Sequence, residues 1–118
     1  MKFYVGTSFK NSEIVNYFSQ ELKKHGWKHT YNWAENISEN ETLEDLKEHS
    51  ILEEKAINES DVVIIILPGG RGTHVELGIA VALNKKIYLC TENKDDFSIE
   101  NTVPFYESPK IEKIFEIV

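Results

Sequence analysis

The stretch Pro68-Gly69-Gly70-Arg71-Gly72-Thr73-His74-Val75-Glu76 holds the residue types best suited to chemistry. Three glycines in four positions let the backbone turn tightly and approach a ligand without Cβ clashes. The loop joins an apolar run to a helix-forming segment, so the free N–H groups of that helix point back into it. This makes an anion site for phosphate or carboxylate, to which Arg71 adds a charge-assisted contact. Glu76 is the only charge between Arg71 and Lys85, and its neighbours are Val75, Leu77, Gly78, Ile79 and Ala80. In the first turn of a mostly buried helix the N-terminus holds a carboxylate ionised, which is the state a carboxylate nucleophile needs. The same residues also read as a capping box, with Thr73 capping the amide of Glu76 and Glu76 reaching back to that of Thr73. Strand alternation puts Tyr4 on the opposite face from Phe3 and Val5. A phenol there can orient a carboxylate in the same cleft, or be a plain core tyrosine. His74 reads as a surface or packing residue. The four histidines (25, 29, 49 and 74) and Cys90 show no metal-ligand spacing. No nucleophile elbow or Ser-His-Asp order is present, and no cofactor is implied.

These residues need elements to position them. Phe3-Tyr4-Val5-Gly6 is a short strand entering the polar turn Thr7 to Asn11. Ile14, Val15, Phe18 and Leu22 recur at helical spacing, and the helix stops at His25-Gly26. His29 to Trp33 predicts a second short strand. An acidic helix runs from about Thr42 to Ser60, with Leu43, Leu46, Leu52, Ala56 and Ile57 facing inward. Asp61 to Leu67 is an apolar run of a kind buried on both faces in a parallel sheet. A helix over about Thr73 to Leu83 follows, then a strand over Lys86 to Cys90. The spacing of Ile111, Ile114 and Phe115 predicts a last helix over Lys110 to Val118. Alternating strands and helices mean an α/β fold, a doubly wound, flavodoxin- or Rossmann-like parallel sheet of four to five strands. In such sheets ligands bind beyond the carboxyl ends of the strands, at a topological switch point. The loops Gly6 to Asn11 and Pro68 to Thr73 should meet there.

The 118 residues fit one domain, residues 1–118. A net charge of −7 argues against nucleic-acid polymers and anionic membranes as partners. The acidity is local: residues 35–61 hold ten acids and two lysines, whereas residues 1–34 hold five lysines and two glutamates. No apolar run approaches the ~18–20 residues of a membrane span, and the start does not read as a signal peptide. The lone Cys90 fits a reduced cytoplasmic protein.

Pro68 to Glu76 resembles the PGGxGTxxE signature of the "lonely guy" phosphoribohydrolases. Over about 90 residues the layout resembles the nucleoside 2-deoxyribosyltransferase family and its nucleoside-monophosphate N-glycosidase relatives: Phe3-Tyr4-Val5-Gly6, then Glu53 to Asp61-Val62-Val63, then Gly72 to Glu76-Leu77-Gly78, then Asn84-Lys85-Lys86-Ile87. This longer resemblance is favoured. Both imply cleavage of a nucleoside's N-glycosidic bond with the helix-start Glu essential. The resemblance implies that Glu76 is the nucleophile, that Tyr4 orients it and that Glu53 protonates the leaving base, with Glu54 adjacent. It gives Asp61 a structural role. It places Gly6, Ser8, Lys10, Gly70, Arg71, Gly72 and Thr73 around the substrate, with Ser8 and Lys10 where relatives grip a 5′-phosphate. Relatives complete the cleft from a neighbouring subunit, which implies a homodimer or higher homo-oligomer and makes Asn101 the candidate for that contact. Gly70 stands where the transferases have Asp and the N-glycosidases Ser, and His74 replaces a small residue. Base, sugar, 5′-phosphate requirement, and hydrolysis against transfer stay open. So does a second function, a domain of the same fold that binds a nucleotide-like ligand without turning it over.

Overall fold

The computed structural model describes residues 1–115. Its strands are β1 (Lys2–Gly6), β2 (Lys28–His29), β3 (Val62–Ile66), β4 (Lys86–Cys90) and β5 (Ile111–Ile114); its helices are α1 (Ser12–Lys24), α2 (Leu43–Glu59) and α3 (Arg71–Ala82). The five strands form one all-parallel sheet in the order β2-β1-β3-β4-β5. This is the doubly wound fold that the alternating sequence pattern predicts, with its switch point between β1 and β3. No helix among the described residues is long and apolar enough to cross a membrane.

Side-chain alternation divides the core into two layers. Tyr4, Val63, Ile65, Ile87 and Leu89 face α2 and α3, where they meet Ala56, Ile57, Leu77 and Ala80. Phe3, Val5, Val62, Ile64 and Ile66 face Val15 of α1. Every residue of β3 is buried, as its uniform apolar run requires of a central strand. Tyr4 therefore enters the layer that also holds α2 and α3, the elements carrying Glu53 and Glu76.

Four expectations are corrected. Residues 111–114 form an edge strand, with Ile87 beside Ile111 and Cys90 beside Ile114. Ile111 packs into the α2–α3 layer and Ile114 into the α1 layer. A three-residue spacing puts two side chains on one helix face but on opposite strand faces, and β4 offers the unpaired edge. Residues 116–118 of the expected helix lie outside the described residues. The second strand is only Lys28–His29, and Trp33–Asn36 is a 3-10 turn capped by Asn32. There the Trp33 indole donates to the Val5 carbonyl at 2.8 Å, taking an acceptor that further strand pairing would use. Leu43 and Leu46 are 85% and 53% exposed, unlike Ala56 and Ile57. The N-terminal half of α2 overhangs the carboxyl ends of the strands, and only its later turns cover the sheet. Finally, α3 starts at Arg71, two residues early, and its N-cap is Gly70, three residues before the expected Thr73. Thr73 is then the third helical residue, and its hydroxyl accepts the Gly70 N–H at 3.0 Å. Glu76 falls in the second turn and takes no part in a cap.

Candidate active site

Three side chains from three elements converge at the carboxyl end of β1. The Tyr4 hydroxyl donates to Glu76 Oε2 and lies 3.3 Å from Glu53 Oε1. Tyr4 is fully buried and Glu76 only 8% exposed. Gly6 makes the approach of α3 to β1 possible. A Cβ there would stand 2.9 Å from Glu76 Oε1 and 3.0 Å from Ile65 Cδ1, so the carboxylate rests against bare backbone.

Burial raises the Glu76 carboxyl above its ordinary range, the contact with Glu53 raises it further, and the Tyr4 hydrogen bond offsets part of this. The position explains the sign. A helix N-terminus acts within about the first turn, and Glu76 lies past it. The expected ionisation by the dipole therefore gives way to desolvation. The Tyr4 phenol is also raised, by burial first and then by the charges of Glu76 and Glu53, so it stays a neutral donor. One phenolic proton cannot serve two carboxylates at once. With its carboxyl raised by burial, Glu76 holds the proton that the trio shares, and the phenol stands between Glu76 and Glu53.

Beside this trio opens a cleft of about 380 Å³, within the ~300–1,000 Å³ usual for small-ligand sites. Ser8 and Phe9 line it from the β1–α1 loop, Gly70 to Thr73 from the start of α3, and Leu46, His49 and Glu53 from α2. Trp33 closes one side, its ring stacked on that of Phe9 at 6.3 Å. Arg71 and the first amides of α3 make one end of the cleft electropositive. Gly70 and Gly72 have open space where a Cβ would stand, whereas Gly69 is needed because its Cβ would lie 2.7 Å from Thr73 Cγ2.

Of the residues expected from the sequence, Glu76, Glu53, Tyr4, Gly6, Ser8, Gly70, Arg71, Gly72 and Thr73 come together here. Lys10 does not. It lines a separate cleft of about 780 Å³ with Asn11, Glu13, Thr91 and Asp96, on the α1 side of the loops. Asn101 is exposed after β4, its amide donating to the Asp95 carbonyl at 3.0 Å. His74 sits beside the cleft as a strut, bonded to the Gly70 carbonyl at 2.8 Å and the Tyr106 hydroxyl at 2.6 Å. Sequence reasoning missed Phe9, Trp33, Glu41 and His49. The available signals were two aromatics in polar turns, and a histidine one helical turn ahead of Glu53.

Residues 3–107 match the model of the nucleoside 2-deoxyribosyltransferase family. Among the solved structures that share the fold are two enzymes. The CMP N-glycosidase BcmB of Clostridium botulinum is 19% identical, with a TM-score of 0.70 over 99% of this chain and 92% of that one. The 2-deoxyribosyltransferase of Bacillus psychrosaccharolyticus is 20% identical, with a TM-score of 0.75 over 98% of this chain and 86% of that one. No curated protein matches the sequence. The family model spans the whole stretch from the strand bearing Tyr4 to the turn after β4, and the chain belongs to the nucleoside 2-deoxyribosyltransferase family of enzymes.

Proposed function

We propose that this protein cleaves or transfers at the N-glycosidic bond of a (deoxy)nucleoside or nucleoside 5′-monophosphate, with Glu76 as nucleophile. The observation that carries the reading is the Tyr4 hydroxyl set between Glu76 and Glu53 at the edge of the cleft. Both relatives whose structures it shares are named for glycosyl chemistry, one a CMP N-glycosidase and the other a 2-deoxyribosyltransferase.

The raised Glu76 carboxyl shapes the mechanism. A protonated carboxyl is no nucleophile. Transfer of the shared proton from Glu76 through the Tyr4 hydroxyl to Glu53 ionises the first and arms the second, with no net change in charge. Glu76 then attacks the anomeric carbon, and the bond to the base breaks as Glu53 gives that proton to the leaving nitrogen. This is the division of labour of retaining glycoside hydrolysis. Water or a second base next attacks the glycosyl ester, Glu53 takes up the acceptor's proton, and Glu76 is released. Water makes the enzyme a hydrolase and a second base makes it a transferase. Phe9 and Trp33 flank the base, while Ser8, Arg71 and the amides of Gly70 to Thr73 face the 5′ end. The cleft is open at Phe9 and Leu46, so the protein is read as a homo-oligomer whose second copy, through the Asn101 loop, completes it.

The test is a panel of deoxynucleosides, nucleosides and nucleoside monophosphates, with and without a free acceptor base, analysed by chromatography. Base release is expected from at least one member, and Glu76→Gln should lower it by about 10³-fold or more. Release that survives Glu76→Gln removes the nucleophile assignment. Tight binding without release from any member favours the ligand-sensing alternative.

A further inference from the structure

We propose that Glu41, held in place by His49, reads the nucleobase, and that the site thereby selects bases carrying an exocyclic amine. The proposal rests on the nucleoside reading of the cleft and adds to it the class of base.

Leu46, His49 and Glu53 are spaced to share one face of α2, and all three line the cleft. His49 lies one turn ahead of Glu53, about 6 Å along the helix. That is comparable to the breadth of a base ring with its exocyclic substituent. Glu41 approaches from the loop before α2, and its Oε1 meets His49 Nε2 at 2.7 Å. The other ring nitrogen, Nδ1, faces the Tyr31 hydroxyl at 3.3 Å. Both imidazole nitrogens are thus committed to protein groups, and His49 is a fixture rather than a ligand contact.

Glu41 is different. Its side chain is 18% exposed and lines the cleft, and Oε2 has no hydrogen-bond partner among the described residues. A carboxylate is acceptor-only. An N–H donor on the base would satisfy it, whereas a carbonyl at the same place would meet oxygen lone pairs and leave both groups unpaired. The choice therefore falls on amino-bearing bases such as cytosine and adenine over the oxo counterparts uracil and hypoxanthine. A plain clamp, with His49 tying the loop to α2, accounts for the 2.7 Å contact. It does not account for a carboxylate at the wall of the cleft whose second oxygen has no hydrogen-bond partner among the described residues.

The experiment compares kcat/KM for cytidine against uridine and adenosine against inosine, each as nucleoside and 5′-monophosphate. The parent is expected to favour the amino member. Glu41→Gln can still bond His49 but adds a donor, so the ratio should fall by at least about tenfold while the melting midpoint is retained. A clamp alone would lower both members equally and leave the ratio unchanged, which overturns the proposal. As a second variant, His49→Ala should lower the same ratio and His49→Gln, which still donates, should restore part of it. If the parent releases no base at all, calorimetric affinities for free cytosine against uracil and adenine against hypoxanthine decide. A preference lost in Glu41→Gln upholds base reading while the catalytic reading fails. Absence of any preference overturns base reading.

Discussion

Glu76 and Tyr4 show how one position decides the chemistry of a side chain. Had α3 begun at Thr73, Glu76 would have sat in the first turn with the helix amides against it. Starting at Arg71 moves it inward, where burial and Glu53 set its protonation. The consequence is measurable as stability. The folded-state pKa of Glu76 lies above its unfolded value. Its contribution is therefore fully present below the ordinary carboxylate range and is lost as pH rises past that range toward the folded-state value. Glu76→Gln is neutral at every pH and shares all other titrating groups except for its effect on Glu53. Urea unfolding at a series of pH values should show the variant gaining on the parent steadily from about pH 4 upward. A constant difference across that series would mean that Glu76 titrates in the folded protein as it does in the unfolded chain, and the proton relay would lose its starting state.

At the scale of elements, the site depends on how closely α3 can approach β1, and Gly6 sets that approach. Gly6→Ala places a methyl 2.9 Å from Glu76 Oε1 and 3.0 Å from Ile65 Cδ1. Both are ends of side chains that can move, so the fold should survive with its melting midpoint shifted by only a few degrees. The carboxylate, however, must leave its place against Tyr4. A displacement near 1 Å is worth about 10²-fold in rate, and kcat should fall by that order with KM little changed. An unaltered kcat would mean that the position of Glu76 does not matter. The same elements mark what the sequence could reveal. β3 and β4 were legible because uniform apolar runs have one good home, a parallel sheet. Glu76 was legible from the loop motif and Tyr4 from strand alternation, whereas Glu53 was reached only through the family resemblance. β5 was not, because Ile111 and Ile114 satisfy both periodicities and only the free edge of β4 decides between them. The side taken by Lys10 was hidden by local geometry. Phe9–Asn11 is a 3-10 turn, in which each residue rotates by about a third of a turn. Phe9 therefore faces the Glu76 cleft while Lys10 and Asn11 face the other. Glu41 and His49 were hidden because their pairing spans the loop into α2, which no periodicity reports.

Over the whole molecule, the acidic excess of residues 35–61 and the electropositive end of the cleft occupy different elements. The acids lie on α2 and the loop before it, whereas Arg71 and the free amides belong to α3. An acidic protein can in this way hold an anionic small ligand, because the field at a site is set by the nearest groups and falls off within about 10 Å at ordinary salt. Three helices and a five-stranded sheet supply the floor and walls of the cleft but little to roof it. Phe9 is 65% exposed at its mouth, and Leu43, Val75 and Phe105 are also large apolar side chains left open. If a second copy covers the cleft, as proposed, activity must follow protein concentration. Specific activity should be constant at high concentration and fall on dilution through the dissociation range, in step with the mass seen by light scattering. Substrate or product added during dilution should shift both curves to lower concentration, since a ligand held by two copies stabilises their association. Full specific activity in a preparation that scatters as a monomer would show that one chain of this length completes the site alone, and would leave Asn101 without a role in it.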